Sequence, residues 1–310
     1  MELRRYDAAD KDRWNRFVAE SKNGFFMFDR DYMDYHSDRF VDHSLLFYEG
    51  DELCAVLPAN EQDGVLYSHQ GLTFGGVLSG RSMRAERMLD AFKALTQYLQ
   101  RETFIKMEHK AIPYIYHSYP AQEDLYALFR HNARISRVDA STAILLATPY
   151  SLNKGKKASV AKARRNGVEI RENDSLDEYF SLLNTRLGER YSKSSTHTAA
   201  EMVQLQAAFP ENILLYTAHV DGRMVAGVLI YLSSQVLHVQ YIGALDEGLR
   251  LGANEMILAE LMERYRDRVQ YFDFGISNEN RGAFLNTGLV AQKEHFGGRT
   301  IVHQFYELNI

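Results

Sequence analysis

The 310-residue sequence predicts an α/β protein of α+β type, a mixed sheet with helices packed on it, built as two copies of one plan. Three observations carry that prediction. Apolar segments recur in the same order at an offset near 170 residues. Each copy has a glycine-centred turn between two apolar strands. Each then continues through a third strand into an amphipathic helix and a further strand.

The first copy is preceded by a helix around Trp14, Phe17 and Val18. It proper begins with a strand at Leu45–Tyr48, a turn at Glu49-Gly50-Asp51 and a strand through Leu53–Leu57. Val65–Gln70 is the next strand, and Met88, Ala91, Phe92, Leu95, Tyr98 and Leu99 mark one face of a helix. Phe104–Met107 closes the copy. The second copy runs from Leu214–Thr217 through a turn at Asp221-Gly222-Arg223 to Val236–Tyr241. A glycine-bearing loop, Leu245–Asn254, leads to a helix whose apolar face holds Met256, Ile257, Leu258, Leu261, Met262 and Tyr265. Val269–Phe274 is its last strand. Val65 falls on Val236 at an offset of 171, Leu45 on Leu214 at 169 and Met88 on Met256 at 168. Composition turns polar and basic after Thr148-Pro149, so the expected domains are 1–149 and 150–310, with the active site in the second.

Composition bounds the function classes. With 45% hydrophobic and 25% charged residues the chain is neither disordered nor fibrous. A formal charge of -5 argues against whole-surface attraction to nucleic acid or anionic lipid, while leaving room for a local basic patch. Cys54 is the single cysteine, so no intrachain disulfide forms, and its apolar setting reads as a core thiol. The start lacks a signal-peptide core and no stretch reaches the ~20 apolar residues of a membrane span, so a cytoplasmic protein without a membrane span is expected. No histidine, cysteine or carboxylate spacing suits a metal, and none is expected.

Four stretches could carry chemistry. Arg250-Leu251-Gly252-Ala253-Asn254 is a turn feeding a helix N-terminus, whose free N–H groups suit an anion; a glycine that merely permits the turn is the plainer alternative. Phe272-Asp273-Phe274-Gly275-Ile276-Ser277-Asn278 continues through Arg281 and places a carboxylate opposite two aromatics. Asp273 can orient or deprotonate an amine, or simply cap the loop. Lys293 in Gln292-Lys293-Glu294-His295-Phe296-Gly297-Gly298 can hold an anion or steady developing charge, or be solvated; it shares a face with His295 only if the segment is a strand. Asn153–Gly167 reads as a basic helix containing Lys157 and Arg164, open to a phosphorylated ligand or RNA, or a plain solvated face.

These stretches resemble the FemABX-type transferases of the GNAT superfamily. The basic helix followed by Asn166-Gly167-Val168 is similar to that group's R-x-x-I-x-K-A-x-x-x-G-V segment. Gly222–Leu229 resembles its G-x-x-V-A-G-x-L, and Asp273–Ser277 its D-F-G-x-S. Gln292–Gly298 resembles F-K-x-x-F-G-G, with Gln292 where the family has phenylalanine. The resemblance covers about 151–306 and implies two tandem GNAT-like domains. It further implies transfer of an acyl or aminoacyl group from acyl-CoA or aminoacyl-tRNA to an amine on a small molecule or peptide. Asp273, Lys293 and Tyr241 would then be catalytic, and Arg250, Gly252, Ala253 and Asn254 would hold the donor. Ser277, Asn278, Arg281, Lys157 and Arg164 would touch substrate, with tRNA a possible partner. The alternative is a non-catalytic GNAT-fold binding module that has lost donor binding.

Overall fold

The computed structural model describes residues 1–191 and 195–310. They form two compact units: residues 1–140, 278–284 and 302–310 in one, 141–277 and 285–301 in the other. This differs from a cut at 149/150, and hydrogen bonding explains why. Phe305–Asn309 pairs antiparallel with Lys106–Lys110, which fixes the end of the chain in the first unit. Asn278 Oδ1 accepts the Ala140 N–H at 2.5 Å, which holds the 278–284 segment there too. The polar change at Thr148 marks only a turn, closed by the Thr148 N–H on the Leu145 carbonyl.

The main elements of the first unit are β1 (Glu2–Arg5), α1 (Lys11–Glu20), β2 (Leu45–Glu49), β3 (Glu52–Leu57), β4 (Val65–Tyr67), α2 (Ala85–Arg101), β5 (Lys106–Lys110), α3 (Glu123–Arg130) and the start of β6 (Arg134–Leu145). β1, β2 and β3 form an antiparallel run, and Gly50 takes the left-handed conformation that the β2–β3 turn needs. α2 buries Met88, Ala91, Phe92, Leu95 and Leu99 against Leu45, Phe47, Leu57, Leu66 and Met107. β4 and β5 run parallel from Val65 opposite Lys106 to Tyr67 opposite Glu108.

The second unit takes the end of β6 and continues with α4 (Lys154–Arg165), β7 (Glu169–Glu172), α5 (Leu176–Tyr191), α6 (Ala199–Ala208), β8 (Ile213–Val220), β9 (Arg223–Leu232), β10 (Val236–Ala244), α7 (Asp246–Leu251), α8 (Ala253–Arg264), β11 (Tyr271–Ile276) and α9 (Thr287–Glu294). The last strand, β12 (Arg299–Asn309), begins in it. β7 to β10 are antiparallel neighbours, with Asp221 and Gly222 both at positive φ in the β8–β9 hairpin. β10 is parallel to β11, which pairs antiparallel with Ser141–Leu145.

Two irregularities prepare the site. Parallel pairing of β10 and β11 ends at His238 opposite Asp273, although β10 continues to Ala244 and β11 to Ile276. In the β9–β10 ladder Leu229 faces Tyr241 and Ile230 faces Val239, which leaves Gln240 bulged out. The stretch expected as a loop, Leu245–Asn254, is instead α7, a single left-handed Gly252 and the start of α8. Asp246 and Glu247 suit the first turn of α7. Gly248 packs so tightly that a Cβ would lie 2.3 Å from the Val225 carbonyl.

Candidate active site

Strand alternation sorts the side chains around the parting strands. Leu237, Val239, Phe272 and Phe274 join the core that includes Ile257, Leu258 and Leu261 of α8. His238 and Asp273 therefore face the other way. The bulge at Gln240 returns Tyr241 to that same face, where its ring meets Phe180 of α5 edge-on.

Asp273 is fully buried and accepts hydrogen bonds from Ser141 Oγ at 2.7 Å, His238 Nδ1 at 2.8 Å and the Gly275 N–H at 3.0 Å. A carboxylate so enclosed is an anchor for its neighbours, while the His238 side chain keeps 10% of its surface exposed. Gly275 has φ of +77°, and the place a Cβ would occupy lies 3.4 Å from His238 Cε1.

Lys293 sits on a helix, so it does not share a strand face with His295, which caps α9. Its Nζ donates to the Gly275 carbonyl at 2.7 Å, the Ile276 carbonyl at 2.8 Å and Ser277 Oγ at 2.8 Å. An ammonium has three N–H bonds, and all three are used. The lysine thus fastens the 275–277 turn beside Asp273. Burial lowers its pKa from 10.5 to about 8, against the raising influence of Asp273, which corresponds to about 3 kcal/mol of disfavoured charge.

Tyr241 belongs to a separate pair on the same face. Its hydroxyl lies 2.7 Å from His197 Nδ1 and accepts the His197 N–H at 3.3 Å, and burial pushes the phenol pKa up. On the α8 side, Val239, Ile242, Leu258, Phe274, Leu289, Gln292, Lys293 and Phe296 line a cavity of about 50 Å³. It lies where β10 and β11 no longer pair.

The other expected residues are dispersed. Arg250 is exposed on α7. Gly252, at φ +81°, is sealed against α4, where a Cβ would stand 2.6 Å from the Ser159 carbonyl. Ala253 and Asn254 are buried in the first turn of α8, and Asn254 Oδ1 has no partner among the described residues. Glu255 in that turn is held by Lys156 at 2.8 Å. Lys157 and Arg164 are exposed on α4 and, with Leu152, Val160, Ala161 and Arg165, line a groove of about 390 Å³. Asn278 and Arg281, expected beside Ser277, belong to the first unit. Asn278 also donates to the Gly282 carbonyl at 3.3 Å, and Arg281 is exposed with its guanidinium 3.9 Å from Glu108. Sequence reasoning missed His238 and Ser141. The signal for His238 was its place opposite Tyr67 in the repeat, since each ends a parallel pairing.

The acetyltransferase (GNAT) domain family matches residues 153–281, the stretch that holds the basic helix, the bulged strand and Asp273. Residues 153–281 are a GNAT domain.

The chain has a FemX-like fold. It superimposes on FemX with a TM-score of 0.73 at 11% identity, covering 100% of this chain and 98% of that one. L-PGS from Bacillus licheniformis matches at 0.65 and 12% identity over 98% and 92% of the two chains. A tandem GNAT protein from the clavulanic acid biosynthesis pathway matches at 0.54 and 12% identity over 99% and 98%. No curated protein sequence matches the chain. The FemX-like fold is thus a pair of tandem GNAT-like domains. Among the described residues no helix is long and apolar enough to cross a membrane.

Proposed function

We propose that this protein is an N-acyltransferase whose reaction takes place where β10 and β11 part. The observation that carries the reading is the juxtaposition at that point. An apolar cavity lies on one face of the strands, the Ser141–Asp273–His238 cluster on the other, and a bulged strand whose pairing to β11 has ended lies between. The cavity suits a small apolar part of the donor, and N–H groups of the bulged β10 segment suit the oxygen that gains charge when an amine attacks an acyl carbon. In this reading Lys293 acts by holding the 275–277 turn in place, since its three N–H bonds are already engaged.

Of the two donors that the FemABX resemblance implies, the RNA-borne aminoacyl group is favoured. A diphosphate at the first turn of α8 would compete with the Glu255 carboxylate and its Lys156 partner, while the exposed cations Lys157, Arg164 and Arg165 offer a place for a phosphate backbone. Acyl-CoA remains the comparison donor. The test is a thermal-shift and turnover screen of acyl-CoAs and aminoacyl-tRNAs with primary-amine acceptors. Transfer from aminoacyl-tRNA that weakens steeply with salt supports the reading. Transfer from acyl-CoA alone overturns the donor choice, and silence from every donor favours a binding module that lacks activity.

A further inference from the structure

We propose that a groove in the first unit binds a small amphoteric molecule, its ammonium at the end of α1 and its carboxylate at Arg81. This does not rest on the acyl-transfer reading. The groove measures about 640 Å³, within the range of about 300–1,000 Å³ that small-molecule sites occupy. Its lining comes from the last turn of α1 with Ser21, from Leu53 of β3, and from Gly80, Arg81 and Ser118, all in the first unit. Backbone hydrogen bonds tie these segments together. The Lys22 N–H donates to the Ser79 carbonyl at 2.9 Å, the Ser118 N–H to the Lys22 carbonyl at 2.8 Å and the Gly80 N–H to the Cys54 carbonyl at 3.1 Å. The walls are thus set before any ligand arrives, which lowers the ordering cost of binding.

The α1 side of the groove favours a cation. Glu20 is exposed there, at the negative end of the helix dipole, and the last turn of α1 carries no basic residue to answer it. Ser21 Oγ donates to the Val18 carbonyl at 2.8 Å and Ser118 Oγ to the Lys22 carbonyl at 2.9 Å. With its one proton committed, each hydroxyl has only lone pairs left to offer. Lys22, next to Ser21, does not supply the cation, because its side chain is 2% exposed and is held by Glu123.

The positive charge of the groove is Arg81, exposed and lying 5.6 Å from the Tyr119 ring centre. Arg81 and Glu20 line the same groove without bridging, and among the described residues neither forms an ion pair. Phe17 and Leu53 add apolar surface. Gly80 leaves it uncovered, since a Cβ there would sit 3.5 Å from the Phe17 ring. A ligand with a single charge answers half of this arrangement. An ammonium and a carboxylate on an apolar body answer all of it, and that is the chemistry of a free amino acid or of the two ends of a short peptide.

The test is calorimetric titration of the full chain with 6-aminohexanoate, L-leucine and the dipeptide Leu-Leu. Hexylamine and hexanoate serve as singly charged controls. A Kd of about 1 mM or tighter is expected for at least one amphoteric probe, with both controls about tenfold weaker or worse. Glu20→Gln and Arg81→Gln, each checked for folding by its melting temperature, should each weaken that probe about fivefold or more. Leucine binding more tightly than Leu-Leu supports a free amino acid as the ligand, and the reverse order supports peptide ends. Amide NMR shifts from the same probe should centre on Ser21, Gly80 and Ser118. No amphoteric probe binding below about 10 mM, controls that bind equally well, or affinity unchanged in both variants overturns the inference. No acyl donor enters these titrations, so their failure and the failure of the acyl-transfer reading are separate results.

Discussion

Two strand pairs in this chain begin alike and end differently. In the first unit β4 and β5 run parallel for three residues to Tyr67 opposite Glu108, and in the second β10 and β11 do the same to His238 opposite Asp273. Beyond Tyr67 the chain folds back beside β5: the Ser68 N–H bonds to the Glu108 carbonyl and the Gly75 N–H to the Lys110 carbonyl. Lys110 then fastens that loop through the carbonyls of His69, Gln70 and Leu72. Beyond His238 the strand runs on to Ala244 and a lined cavity remains. Each unit thus has a lysine whose pKa burial lowers to about 8, Lys110 in one and Lys293 in the other, and each of these grips three oxygens. In one the lysine closes the strand gap. In the other it fixes a turn beside it. On the proposed function, the first arrangement serves stability and the second serves chemistry.

The largest effect that would separate them is a paired substitution. Lys293→Met should cost turnover about 100-fold or more, because the 275–277 turn loses its fastener beside the reacting groups. Lys110→Met should leave turnover per folded molecule within threefold and lower stability by about 2 kcal/mol, read by denaturant unfolding, because three loop carbonyls lose their shared donor.

Acid should strike the first unit next. Burial first, then the charge of nearby His36, lowers His69 from 6.5 to about 3, so the folded state disfavours its protonation. The unfolded chain binds that proton more readily, so the stability is full above pH 6.5 and is lost as pH falls toward 3. At pH 5 the loss from this group alone is about 2 kcal/mol, and His69→Gln should flatten that slope in unfolding titrations.

Filling the open gap is a smaller intervention. Leu289→Trp at the cavity mouth should raise donor KM about tenfold with kcat within threefold, since it removes room without touching the Asp273 cluster. The smallest effect lies at alkaline pH. Both lysines are disfavoured as ammonium in the folded state, so stability should rise between pH 8 and 10.5, by about 1 kcal/mol per lysine at pH 9. The double Lys110→Met, Lys293→Met variant should lose that rise.

The fold was legible to an unequal depth. The offset of 171 that aligned Val65–Gln70 with Val236–Tyr241 matched the two parting strands to each other, because burial on one sheet demands the same apolar pattern twice. The Asp221-Gly222 hairpin was readable from local conformational preference, and the basic helix from its Asn153 cap, whose Oδ1 accepts the Lys156 N–H. The unit boundary was not, since it depends on Phe305–Asn309 pairing with a strand nearly 200 residues away. Nor was α7, whose helical turn is set by the close contact of Gly248 with β9.

The candidate site was legible only as residue types. Asp273, Lys293 and Ser277 were named from short motifs, and the structure brings them to one turn. What sequence could not convey is who bonds to whom. Asp273 is spoken for by Ser141, 132 positions away, and by His238, 35 away. Long-range register decides that, and no local pattern carries it. Asn278 followed Ser277 in the motif, yet its amide is committed to Ala140.

The most direct test of the contrast between the two lysines is amide formation measured per folded molecule for wild type, Lys110→Met and Lys293→Met, with an aminoacyl-tRNA and acyl-CoA donor panel and a primary amine. Transfer by wild type, near-equal transfer by Lys110→Met and a loss of about 100-fold or more in Lys293→Met are expected. No transfer from any donor, or equal losses in the two variants, would contradict the assignment of chemistry to the second unit.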